Sequence, residues 1–213
     1  MSTRLVCLGI GYVCGLFQTG YFYSKKKEFD LRAHGSGNTG MTNTIRTMGW
    51  KAGIIVLLGD LFKCVLAVAI VHFIYKDLSQ TPIDILELYA AAGAILGHDF
   101  PFFLGFKGGK GMACTAGLCF AVNIMIVIPA AVVFFVPVLI TKYVSLGSIL
   151  VSIALPIISA VYIKMGILSL SGAGATEFIV LMCFIAALNV FQHRANIGRL
   201  LSGTENTFSG KKS

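Results

Sequence analysis

The sequence predicts an all-α integral membrane protein. It would have about seven transmembrane helices in a single domain over residues 1–213, with the N-terminus extracytoplasmic and the C-terminus cytoplasmic. Three observations predict this. Charged residues make up only 12% of the chain, against about 25% in a soluble domain. Hydrophobic residues make up 56%, and the mean hydropathy is +0.84. Apolar runs of near-spanning length recur from one end to the other. The same composition excludes a disordered chain, which needs low hydrophobicity and dense charge. The net charge is +8, but the apolar excess is too large for a nucleic-acid-binding surface.

Crossing the hydrocarbon core takes about 20 apolar residues, and in lipid a helix satisfies its own backbone groups. Seven runs qualify in order: Leu5 to Tyr23, Ala52 to Tyr75, Ile83 to about Leu104, Gly111 to about Asn123, Ile124 to Ile140, Ile149 to Leu168, and Thr176 to Phe191. The first ends in Tyr21, Phe22 and Tyr23, unlike the small residues of a cleaved signal peptide. The fourth is short, and with the fifth it could form one long or broken element. The six cysteines lie in apolar stretches without a C-x-x-C pair. They read as buried thiols rather than a disulfide framework or a zinc site.

Orientation follows from the loop charges. Thirteen of the 17 basic residues fall on one side: Lys25, Lys26, Lys27, Arg32, Arg46, Lys51, Lys107, Lys110, Lys142, Arg194, Arg199, Lys211 and Lys212. That side is the cytoplasmic one, and every polar, glycine-rich segment lies on it. Lys211 and Lys212 read as contacts to anionic lipid headgroups. Trp50 and Tyr143 fit interfacial anchors.

Three polar segments carry the chemistry. The first runs from Arg32 to Arg46 and contains Gly35, Gly37 and Gly40 with Ser36, Asn38, Thr39, Thr42 and Asn43. It matches G-x-G-x-x-G, but no strand precedes it, so a dinucleotide site is not implied. Glycines allow close backbone approach, and hydroxyls and amides add donors, so the segment reads as an anion cradle. The second contains Gly97, His98, Phe100 and Pro101, then Phe106-Lys107-Gly108-Gly109-Lys110-Gly111. It is no Walker loop: the spacing is one residue short, and Gly111 stands where Ser or Thr would hold magnesium. Lysines and glycines opening a helix still suit phosphate. The third runs Phe191-Gln192-His193-Arg194-Ala195-Asn196, then Ile197 to Glu205, with His193, Asn196 and Leu200 on one helical face. Asp60 and Lys63 lie mid-span at i and i+3, where ions pair or face a cavity. In the turn Lys142–Ser148, helix capping is the ordinary account of the hydroxyls; Ser145 is also a substrate-binding candidate.

These segments resemble the three motifs of the bacterial acyl-phosphate:glycerol-3-phosphate acyltransferase family, the PlsY type, in order and over essentially the whole chain. The motif positions are Gly35-Ser36-Gly37-Asn38-x-Gly40-x-Thr42-Asn43-x-x-Arg46, then Gly97-His98-x-Phe100-Pro101 with Phe106 to Gly111, then His193-Arg194-x-Asn196-Ile197-x-Arg199-Leu200 with Gly203-Thr204-Glu205. Met41 replaces a common alanine, and Cys64 follows Lys63 where glycine is frequent. The resemblance implies transfer of a fatty acyl group from acyl phosphate to the 1-hydroxyl of sn-glycerol 3-phosphate, the first acylation of phospholipid biosynthesis. The products would be lysophosphatidic acid and phosphate. It also implies a bacterial inner-membrane location with a cytoplasm-facing site, and a soluble partner enzyme that supplies acyl phosphate.

Both substrates carry phosphate, so basic residues and glycine N–H groups suit them. The catalytic candidates are Ser36, Arg46, Lys107, His193 and Asn196. The substrate-binding candidates are Gly37, Asn38, Gly40, Thr42, Asn43, His98, Gly108, Gly109, Lys110, Gly111, Ser145 and Arg194. His193 or a substrate phosphate would serve as base. His98 would orient substrate or cap a helix. No metal, cofactor or nucleic acid is expected. His72 and Asp77 match the H-x-x-x-x-D pattern of acyl-CoA-dependent acyltransferases, but on the extracytoplasmic side, which argues for chance or anchoring. The alternative from another class is a small organic-phosphate transporter, which would place polar groups at the midplane and beyond.

Overall fold

The computed structural model describes residues 2–208; Lys211 and Lys212 lie outside them. Among the described residues the regular structure is helical. The helices are α1 (Ser2–Gly15), α2 (Thr19–Lys26), α3 (Met41–Met48), α4 (Trp50–Tyr75), α5 (Ile83–Asp99), α6 (Met112–Val122), α7 (Val127–Thr141), α8 (Val144–Lys164), α9 (Gly172–Gln192) and α10 (Arg194–Leu201). The chain divides into two compact units, the first ending at Val122 and the second beginning at Asn123.

Among the described residues, five stretches are long and apolar enough to cross a membrane: Ser2–Lys26, Trp50–Tyr75, Ile124–Thr141, Val144–Lys164 and Gly172–Gln192. Two of the seven expected spans are shorter. α5 has 17 residues and α6 has 11, about 26 and 16 Å of helix against a hydrocarbon core of about 30 Å. α6 is short for local reasons. Gly111, at φ 70, turns the chain just before it. Asn123 is extended beyond it, with its side chain accepting the Met125 N–H at 2.9 Å.

In the first unit, α1 and α5 meet along small residues. A Cβ at Gly11 or Gly15 would strike the backbone of Ala90 or Ala94, and one at Gly93 or Gly97 would strike that of Leu8 or Tyr12. Glycines four apart on both helices bring the backbones together, as membrane helix pairs do. α4 packs beside α5 and α6. Cys64 is fully buried there, and Gly117 of α6 faces its Cβ, so the departure from glycine is accommodated by a glycine opposite.

The first span is broken between α1 and α2. Gln18, 1% exposed, seals the break. Its amide approaches the carbonyls of Gly15, Gly97 and His98 at 3.3, 3.3 and 3.0 Å, and its oxygen accepts from the Thr39 hydroxyl at 3.4 Å. The break therefore ties the end of α5 to the loop before α3.

In the second unit, α8 packs on α7 and α9. Lys142 closes α7 in the left-handed conformation, its N–H donating to the Val138 carbonyl at 2.8 Å. α8 begins at Val144, five residues ahead of the expected span. Gly147 admits the Phe134 carbonyl of α7.

Candidate active site

The first glycine-rich segment is organised from within by Asn43, which is 2% exposed. Its amide nitrogen approaches the carbonyls of Leu31, His34 and Asn38 at 3.3, 3.1 and 2.9 Å, and its oxygen accepts the Ser36 N–H at 2.8 Å. Gly35 has φ 62, and a Cβ there would land on the Asn43 side chain, so both the turn and the space require glycine. The result is a compact loop with Ser36 exposed at its tip. Asn38 accepts the Gly40 N–H at 2.9 Å and donates to the Gly108 carbonyl at 3.4 Å, joining the first segment to the second. Gly40 caps α3. Thr42 stands in the first turn of α3 and Arg46 in the last; both are half-buried.

The second segment folds back over the end of α5. After Pro101 and a short 3-10 turn, Gly105 and Phe106 take φ 62 and 59 and reverse the chain. The Gly108 N–H donates to the Asp99 carbonyl and the Gly109 N–H to the His98 carbonyl, each at 3.0 Å. Gly109 lies directly on the His98 ring, where a Cβ would overlap Nε2. Lys107 is exposed; Lys110 is half-buried.

These bonds narrow the expected phosphate cradle, because part of its backbone is used within the loops. The N–H groups of Ser36, Gly37, Gly40, Gly108 and Gly109 all donate within the chain. Helix-end carbonyls and asparagine side chains use them to hold the loop shape. Side-chain charge is also available there: Lys107 and Arg32 are exposed.

That charge lines a cleft of about 430 Å³ formed by Asp30, Arg32, Ala33, Gly37, Leu104, Lys107 and Gly108. Of the expected site residues it gathers Gly37, Lys107 and Gly108. Arg32 was not among the candidates. Its guanidinium lies 3.5 Å from Asp30 and 5.2 Å from the centre of the Tyr21 ring. Its position at the head of the first segment, beside an anchoring aspartate, was the available signal.

His98 is neither exposed to the cleft nor a helix cap. It is 3% exposed and sits beneath the glycine run. Lys63 Nζ lies 2.7 Å from its Nδ1, 3.0 Å from Asp60 Oδ1 and 2.8 Å from the Phe17 carbonyl. The Thr19 hydroxyl donates to Asp60 at 2.9 Å. The mid-span charges are therefore paired inside the unit. His72 pairs with Glu87 at 2.6 Å rather than serving an H-x-x-x-x-D site with Asp77.

In the second unit, the third motif forms the corner between α9 and α10. His193 is 4% exposed, and its Nδ1 lies 2.8 Å from the Asn189 carbonyl. A carbonyl only accepts, so Nδ1 carries a proton in this contact. Asn196 donates to Glu205 Oε1 at 2.9 Å, and Arg199 donates to Oε2 at 3.0 Å. Glu205, 3% exposed, belongs to the third motif but not to the site candidates; it holds the turn after α10. Arg194 folds back on its own helix end, 4.5 Å from the Phe191 ring centre and 3.1 Å from the Phe191 carbonyl. Ser145 is buried, and its hydroxyl does not cap α8; Ser148 instead bonds back to the Val144 carbonyl at 3.0 Å.

Residues 5–203 match the family model described as glycerol-3-phosphate acyltransferase. The chain is 37% identical to the glycerol-3-phosphate acyltransferase of Chlorobium phaeobacteroides, with 97% of each chain covered. It is 38% identical to that of Geotalea daltonii, over 98% of this chain and 99% of the other. Among solved structures it resembles PlsY (YgiH), an integral membrane glycerol 3-phosphate acyltransferase, in its glycerol 3-phosphate form. There the TM-score is 0.80 at 31% identity, covering 96% of this chain and 94% of that one. The lysophosphatidic acid form of PlsY gives a TM-score of 0.78 at 30% identity, with the same coverage.

Proposed function

This chain belongs to the glycerol-3-phosphate acyltransferase family, and we propose that it moves a fatty acyl group from acyl phosphate to the 1-hydroxyl of sn-glycerol 3-phosphate. The products are lysophosphatidic acid and inorganic phosphate. The observation that carries this reading is the cleft lined by Arg32 and Lys107 between the first two motifs. Two cations at the rim of a membrane protein suit a substrate whose polar end is phosphate, and a guanidinium matches phosphate by two prongs.

The hydroxyl oxygen attacks the acyl carbon. Its proton goes to a base, and the bond from the acyl carbon to the phosphate oxygen breaks with its electron pair leaving on phosphate. Phosphate leaves an anhydride with little need of protonation, so positioning and charge stabilisation carry the barrier. Lys107, Arg46 and Lys110 offer charge to the phosphates, and Ser36 offers an exposed hydroxyl. His193, its Nδ1 donating to the Asn189 carbonyl, is the candidate base; a phosphate oxygen of the substrate is the competing base. Asn196 keeps its catalytic role and Thr42 and Arg194 keep binding roles in the proposal through the family motifs; Ser145, outside those motifs, keeps a binding role as a buried hydroxyl at the start of α8.

We also propose that the whole chain acts as one catalytic domain, since the family match runs through both units. The one-sided distribution of Lys and Arg supports an extracytoplasmic N-terminus and a cytoplasmic site in a bacterial inner membrane. A separate soluble enzyme would then deliver acyl phosphate. The test is product identity. Purified protein given palmitoyl phosphate and glycerol 3-phosphate yields 1-palmitoyl-glycerol 3-phosphate by mass spectrometry. Formation of the 2-acyl isomer, or of no lipid, contradicts the reading.

A further inference from the structure

The first unit buries a cation, an anion and an imidazole in one contact. Asp60 is 1% exposed, Lys63 4% and His98 3%. Lys63 has three N–H donors and three acceptors around it: Asp60 Oδ1, His98 Nδ1 and the Phe17 carbonyl, at 3.0, 2.7 and 2.8 Å. Asp60 Oδ1 takes a further bond from Thr19 at 2.9 Å. Because an ammonium can only donate, Nδ1 of His98 must accept, and the ring proton sits on Nε2. That edge of the ring is the one on which Gly109 rests. The carbonyl of His98 itself receives Gly109 N–H, and the carbonyl of Asp99 receives Gly108 N–H.

We propose that Asp60 and Lys63 are positioning residues for acyl transfer: together they hold His98 in one tautomer and one orientation, and the His98 ring is the floor beneath Gly109 that sets Lys107, two residues before it, at the cleft. Neither charge touches the cleft; each acts through the histidine. Paired charges at this depth are costly to keep unless they serve an arrangement that apolar side chains could not reproduce. An apolar pair would fill the same volume but would leave the ring free to choose its tautomer and tilt.

The kinetic part of this inference rests on the proposed reaction; the structural part does not, and the experiment separates them. The variant is the charge-free pair Asp60→Asn with Lys63→Met, made together so that no lone charge is buried. Amide hydrogen exchange is measured on the full-length protein in detergent, peptide by peptide, beside the KM for glycerol 3-phosphate. Exchange across 101–115 rises about tenfold while the α1 and α5 peptides stay protected, as for a local opening. KM rises about tenfold with a smaller fall in kcat. Unchanged exchange over 101–115 overturns the inference, and so does faster exchange spread evenly over all helices. Should the pair fail to fold, His98→Asn keeps an acceptor for Lys63 and removes the ring beneath Gly109. It must loosen the same peptide, and if it does not, the inference falls. A wild-type protein without turnover refutes the reaction while leaving the exchange result to decide the positioning role.

Discussion

Gly109 rests on the His98 ring so closely that a side-chain carbon on Gly109 would occupy the position of Nε2. The ring is walled in by Lys63 and Asp60, so it cannot retreat. Gly109→Ala therefore displaces the loop rather than the histidine. Overpacking of this kind costs about 1–3 kcal/mol. The expected outcome is protein that still inserts and purifies as a monodisperse species but loses at least about tenfold in kcat/KM. Full activity would show that the loop shape is not used.

Asn43 and Ser36 separate folding from chemistry within one loop. Asn43→Ala removes a side chain that serves four backbone groups and should lower stability by about 2–3 kcal/mol. Ser36→Ala touches an exposed hydroxyl and should leave the melting temperature unchanged while cutting turnover. Thermal unfolding followed alongside the acyl-transfer rate tests both. An equal loss of stability in the two variants would contradict this division.

Arg32 and Lys107 line one cleft, so both should act on the same substrate group. Arg32→Gln and Lys107→Ala are each expected to raise the KM for glycerol 3-phosphate or lower kcat/KM by about 10–100-fold, the worth of one charged hydrogen bond. Their combination should fall short of the product of the two effects, because neighbouring groups couple. Steady-state kinetics on the double-mutant cycle measures it; strict independence would place the two cations on different groups.

Glu205 receives Asn196 and Arg199 on separate oxygens. Glu205→Ala leaves a buried amide and a guanidinium without that carboxylate. Loss of about 1–3 kcal/mol of stability is expected, read from a lower melting temperature of the purified protein. Glu205→Gln retains acceptor capacity at one oxygen and should recover part of it. Wild-type stability in the alanine variant would mean that the turn after α10 does not depend on the carboxylate.

Much of the architecture could be read from apolar run length, because lipid leaves a helix few alternatives. α4 and α9 sit where their runs predicted. The shortness of α6 was legible in its run; whether it joined α7 was not, and the extended backbone at Asn123 divides them. The break at Gln18 was hidden for the opposite reason. Its partners, Gly97, His98 and Thr39, are remote in sequence, so no local pattern announces it. The three motifs did not reveal how their own backbone groups are bonded. Glycine runs suggested N–H groups turned toward phosphate, whereas the carbonyls of His98 and Asp99 take two of them. That Arg32 lines one cleft with Lys107 depended on the same tertiary folding.

Phosphate release from purified, detergent-solubilised protein tests the acyl donor and the acceptor at once. Palmitoyl phosphate would be supplied with and without glycerol 3-phosphate, and palmitoyl-CoA with glycerol 3-phosphate would serve as the comparison donor. The account predicts phosphate release from palmitoyl phosphate only when glycerol 3-phosphate is present, and no free CoA from palmitoyl-CoA. Turnover of the CoA donor, or phosphate release indifferent to glycerol 3-phosphate, would contradict it.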